Sequence, residues 1–78
     1  MEKQLSLRQL CPGQRARVSA LSIGGPMRRR LRDLGLVEGT AVRCVGRSPM
    51  GDPAAYEIRG AVIALRGRDS AQVWIERI

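Results

Sequence analysis

The chain has no histidine and no phenylalanine, only Tyr56 and Trp74 as aromatic residues, and one lysine beside thirteen arginines. Without histidine, the usual general base near neutral pH is missing. The serines at 6, 19, 22, 48 and 70 have no evident base to activate them, so catalysis is not expected. Histidine is also the commonest metal-ligating side chain, so the same absence argues against a complete metal site in one chain, and no cofactor is expected. The shortage of rings weighs against single-strand nucleic-acid binding, which usually offers several stacking platforms, and against aromatic grooves for proline-rich peptides. No apolar run approaches the roughly 20 residues of a membrane span. Met1-Glu2-Lys3-Gln4-Leu5 lacks the apolar core of a secretory signal, so the chain reads as cytosolic. Cys11 and Cys44 are the only cysteines, and in the cytosol they are expected reduced, as small apolar residues.

The 78 residues suffice for one domain, 1–78, with a small core. Net charge is +7, carried almost wholly by arginine, which favours acidic partners. The most organised stretch is Gly24 to Leu36. Gly24 and Gly25 break what precedes, and Pro26 suits a first helical position. Met27, Leu31 and Leu34 recur at helical spacing on one face. Gly35 suits the left-handed residue that ends a helix, with Leu36 folding back on the last turn. Arg28, Arg29 and Arg32 occupy the opposite face. Arg30, beside Leu31, is placed to pair with Asp33 or Glu38.

Elsewhere the pattern is strand-like. Leu5, Leu7 and Leu10 form an apolar opening segment, followed by a turn at Cys11–Gln14. Ala16, Val18 and Ala20 alternate with polar residues, and a phase change near Ala20 predicts a bulge. Val37–Thr40 is a turn, Ala41–Arg47 a strand, and Ser48–Pro53 a loop dense in turn formers. Ala55–Arg59 and Ala61–Leu65 are strands linked at Gly60, the second so apolar that little solvent contact is expected. Arg66–Ser70 is a turn, and Gln72–Arg77 the last strand. About five strands and one helix would leave edges exposed in a flat sheet, so closure into a small barrel is predicted. Val18, Val42, Ile58, Ile63, Leu65, Val73 and Ile75 form the expected core, and Leu31 and Leu34 pin the helix to it.

Several pieces resemble the ferrous iron transport protein A (FeoA) family: Leu10-x-Pro12-Gly13, Arg29-Arg30-Leu31-x-x-Leu34-Gly35-Leu36, Glu38-Gly39-Thr40-x-Val42, the loop Ser48–Pro53, and Ala64-Leu65-Arg66. Their order covers almost the whole chain. The resemblance implies an SH3-like barrel with the helix inserted after the first long strand. Gly13, Leu31, Leu34, Gly35 and Gly39 are the matching structural positions. It also implies a non-enzymatic cytosolic regulator of the ferrous iron permease FeoB, acting by protein–protein docking, at the inner membrane face through that partner and without inserting itself. A similar fold forms the C-terminal domain of iron- and manganese-dependent repressors. The alternatives are a basic nucleic-acid-binding barrel and a metal-sensing domain.

The proposed docking residues are Arg28, Arg29 and Arg32 on the helix and Pro49, Met50, Gly51 and Asp52 in the loop. Asp52 is expected to hydrogen-bond its own turn. Weak homodimerisation is expected along the last strand, near Trp74 and Ile78. A metal shared between copies would draw on Cys11 or Cys44.

Overall fold

The structure, a computed structural model, describes residues 5–78; the reading of Met1 to Gln4 lies outside the described residues. The elements are β1 (Leu5–Ser6), a 3-10 turn (Leu7–Gln9), β2 (Arg15–Leu21), α1 (Gly25–Asp33), β3 (Ala41–Arg47), β4 (Ala54–Ile58), β5 (Ala61–Leu65), α2 (Gly67–Ser70) and β6 (Val73–Arg77). They form one antiparallel sheet in the order β1-β6-β2-β3-β4-β5.

Three expectations change. Among the described residues there are six strands where about five were expected, because Leu5 and Ser6 pair with Ile75 and Trp74. Ladder pairing does not close the sheet: β1 and β5 are its two edges, and the 3-10 turn packs against α2 between them. Leu7 at 0% and Leu10 at 3% exposure plug this end of the core. Finally, β5 is not a strand with little solvent contact. It is an edge whose outward residues Val62 and Ala64 are exposed, Val62 by 60%. Its apolar composition predicts burial on both faces, whereas Val62 and Ala64 lie on the outer face and Ile63 and Leu65 on the core face, and the sheet order leaves one of its edges without a neighbour.

The core contains Val18, Val42, Ile58, Leu65, Val73 and Ile75 as expected, whereas Ile63, on the edge strand, is only half-buried. Alternation along β2 and β3 places these side chains inside and Arg15, Arg17 and Arg43 outside. The predicted bulge is present, with a register shift between Val18 and Ala20 against β6.

At the end of α1, the Leu36 N–H donates to the Leu31 carbonyl at 2.8 Å and the Gly35 N–H to the Arg32 carbonyl at 3.0 Å. This crossed pair satisfies two otherwise orphaned helix carbonyls. It requires Gly35 at a φ of +94°. Leu36, 1% exposed, reaches the core beside Leu31, while Leu34 stays half-buried at the helix flank, so Leu31 and Leu36 pin the helix rather than Leu31 and Leu34.

The hairpin joining β4 to β5 turns through Arg59 and Gly60, both with positive φ (51° and 83°). Arg59 then lies across the end of α1: a Cβ built on Gly35 would stand 2.8 Å from its Cδ. One glycine thus lets the helix end and lets the β4–β5 hairpin close over it.

Candidate partner-docking site

The helix arginines Arg28, Arg29, Arg30 and Arg32 are all exposed, and Asp33 is the only acid on α1. The nine-residue helix is seated chiefly by Leu31, with Met27 packed against the core, so its arginines project from a narrow seam. Arg30 and Arg32 in the last turn also complement the negative end of the helix dipole. Arg28 donates to the Leu21 carbonyl at 3.4 Å, its side chain lying back over the end of β2. Arg28 and Arg32 line a groove with Glu38, while Arg29 and Arg30 line another with Pro26, Asp33 and Leu34. Among the described residues the one side-chain ion pair is Arg43–Glu57, at 2.9 Å, so the expected pairing of Arg30 with Asp33 or Glu38 is not formed. The helix charge is left to solvent.

The loop residues Pro49, Met50, Gly51 and Asp52 are exposed, Met50 by 90%. They lie at the other end of β3 from α1. Seven residues of strand span about 20 Å, so helix and loop are two surfaces rather than one. Asp52 does not bond its own turn. Its Oδ1 accepts from the Gly67 N–H at 2.6 Å, tying the loop to the start of α2.

The cysteines part company. Both are free, but Cys44 is fully buried, while Cys11 is exposed and does not serve as a core residue. Cys44 therefore cannot reach a metal on another copy without unfolding β3. Among the described residues no group of three potential metal ligands occurs. Among the described residues the middle of the last strand is covered on both sides, by β2 and by the pairing of Leu5 and Ser6 with Ile75 and Trp74. Trp74 donates its indole N–H to Ser22 Oγ at 2.7 Å, and Tyr56 is fully buried with its hydroxyl directed at the Leu7 carbonyl, 3.3 Å away. Burial pushes the Tyr56 hydroxyl above its ordinary value, outweighing the opposing Ser70 hydrogen bond. The one fully buried ring is thus unavailable for stacking on a base.

Sequence reasoning missed Arg47, whose Nη2 donates to the Arg8 and Leu10 carbonyls at 2.6 and 2.8 Å and holds the opening segment on the sheet. A partner thirty-seven or more residues away in sequence leaves no local signal. It also missed the arginines on the outer sheet face, where Arg15 stands opposite Arg43, and Arg43 opposite Glu57. Alternation places each of them outside, but only the strand register brings them together.

The FeoA domain family model matches residues 5–77. The chain is 30% identical over 74 residues to the Fe(2+) transport protein A/Fe(2+) transporter FeoB fusion protein of Porphyromonas gingivalis; the match covers 95% of this chain and 9% of that one. The solution structure of iron(II) transport protein A from Clostridium thermocellum superposes with a TM-score of 0.89 at 31% identity, over 95% of this chain and 46% of that one. The crystal structure of Stenotrophomonas maltophilia FeoA complexed with zinc, described as a prokaryotic SH3 domain protein, superposes with a TM-score of 0.81 at 29% identity, over 92% of this chain and 89% of that one. The bent sheet with its inserted helix is accordingly SH3-like. The chain spans less than half the length of the first two relatives.

Proposed function

Because this chain belongs to the FeoA family and is thereby linked to ferrous iron transport, we propose that it is a non-enzymatic docking domain for the FeoB permease. In this reading it acts on the cytosolic side and engages FeoB through the arginines of α1. The observation that carries the reading is the charge on that helix: four exposed arginines with Asp33 the only acid among them. Arginine is enriched at interfaces because its planar head donates several hydrogen bonds in a fixed geometry. An isolated surface ion pair is worth only about 0.2–1 kcal/mol, so docking needs several arginines to engage together. A partner beside an anionic leaflet would add about 1 kcal/mol for each arginine near the surface. The relative in which the two proteins are fused supports FeoB as that partner, since fusion keeps the domain at high effective concentration beside the permease. The loop with Met50 is a second proposed contact, one that a large partner could reach at the same time.

Nucleic-acid binding is the weaker reading, because Tyr56 is buried, which leaves Trp74 as the one ring that could stack on a base. The test is the double charge reversal Arg28→Glu with Arg32→Glu in a strain that depends on ferrous iron. Both side chains are exposed, so the variant should keep the wild-type circular dichroism spectrum while uptake falls. A folded variant with intact uptake and intact permease binding contradicts the assignment.

A further inference from the structure

A second interaction surface lies on β5, the strand that leaves the hairpin closing over the end of α1. The pair Ile58–Ala61 flanks the two-residue turn through Arg59 and Gly60. In such a hairpin the flanking residues exchange both hydrogen bonds, and bonded and non-bonded pairs alternate from there. Glu57–Val62 and Ala55–Ala64 are therefore the non-bonded pairs of the β4–β5 ladder. The N–H and C=O groups of Val62 and Ala64 consequently point away from β4, along an edge of the sheet that is open among the described residues. Exposed edges are normally protected by charge, proline or a bulge. The sequence Ala61–Leu65 has none of these: it is uncharged, lacks proline and pairs with β4 without a register shift. Its outward side chains are apolar, with Val62 60% exposed.

We propose that β5 is a strand-addition site for an extended partner segment with an apolar centre and acidic residues at its ends. Charge selects this occupant. The edge is bracketed by Arg59 before it and Arg66 after it, both exposed. A second copy pairing antiparallel about Ile63 would set Arg59 of one chain near Arg66 of the other, and would join two domains of net charge +7. An acidic-ended segment meets both arginines favourably. Main-chain bonds to Val62 and Ala64 supply its affinity, and the alternating apolar side chains its register. Met50 stands at the Leu65 end of the edge, because Asp52 ties its loop to Gly67. This site does not depend on the α1 reading, and a FeoB segment is one possible source of the strand.

The probe is a synthetic peptide with alternating Val and Thr at its centre and Glu-Glu at each end, added to the isotopically labelled full chain. Amide exchange of Val62 and Ala64 should slow about tenfold or more as their edge N–H groups become bonded. Ala64→Pro removes one outward donor and no bond to β4, a placement that edge strands accept, and should abolish the protection. Val62→Glu, which alters only an exposed side chain, is the second variant and should do the same. Arg28→Glu with Arg32→Glu should leave the protection in place, which separates this site from α1. Unchanged exchange at Val62 and Ala64, or equal protection by a peptide with Lys-Lys ends, overturns the proposal. Protection that arises from concentrating the protein alone would assign the edge to a second copy and also overturn it.

Discussion

Replacing Gly35 by alanine tests the junction on which the placement of α1 depends. Gly35 holds φ at +94°, where an L-residue is strained by roughly 1–2 kcal/mol. The new Cβ would lie 2.8 Å from Arg59 Cδ and 3.1 Å from its Nε, too close for either atom to stay. Arg59 must swing away from the helix end, giving up a cation–dipole contribution of about 0.3–1 kcal/mol. Against these stands the lower conformational entropy of the unfolded alanine chain, worth about 0.4–1 kcal/mol. The balance is a loss of about 1–2 kcal/mol, or several degrees in Tm for a domain of this size. Urea denaturation followed by circular dichroism measures it. The two contributions separate in a double-mutant cycle with Arg59→Ala. In that background the Arg59 part vanishes and the backbone part remains, so the penalty should shrink by about 0.3–1 kcal/mol. A neutral Gly35→Ala would refute the left-handed helix end. A penalty unchanged by Arg59→Ala would refute the contact between hairpin and helix.

Leu31→Ala should cost about 2–5 kcal/mol, since Leu31 is fully buried, whereas half-buried Leu34→Ala should cost about 1 kcal/mol; equal losses in denaturation midpoint would contradict the seating of α1 described above. The raised pKa of Tyr56 means that the fold favours the neutral phenol over the phenolate. Its contribution to stability is therefore fully present below the unfolded value of 10.0 and is lost as pH rises past that value toward the folded one. Ultraviolet titration should show the phenolate appearing together with alkaline unfolding, and a freely titrating tyrosine in the folded protein would contradict this. A thiol reagent should modify Cys11 at once and Cys44 only after denaturation, and two fast thiols would show that β3 is not packed as described.

The helix was legible in the sequence because its signals are local: two glycines and a proline at the start, apolar residues at helical spacing, and Gly35 at the stop. The strands from Ala41 to Arg47 and around Tyr56 were legible for the same reason, since alternation within a strand needs no knowledge of its neighbours. What failed was what depends on strand order. Ala61–Leu65 is as apolar as a buried strand, and only its place at the sheet edge shows that it is exposed. The pairing of Leu5 and Ser6 with Ile75 and Trp74 of the last strand likewise has no local signal, because the partners lie about 70 residues apart in sequence. Asp52 was assigned to its own turn, although its partner is Gly67, across the loop. The helix arginines are exposed, as their spacing opposite Met27 and Leu31 predicts, but the length of β3 separates them from the Pro49–Pro53 loop.

The proposed docking on FeoB rests on an arginine-bearing helix. The most direct test is the affinity of the purified domain for the FeoB cytosolic region, measured by calorimetry at increasing salt, for wild type and for Arg28→Glu with Arg32→Glu. Wild-type binding should weaken steadily with salt, and the folded double variant should bind at least about tenfold more weakly at low salt. Binding that is indifferent to salt, and equal in the two proteins, would contradict the proposed docking.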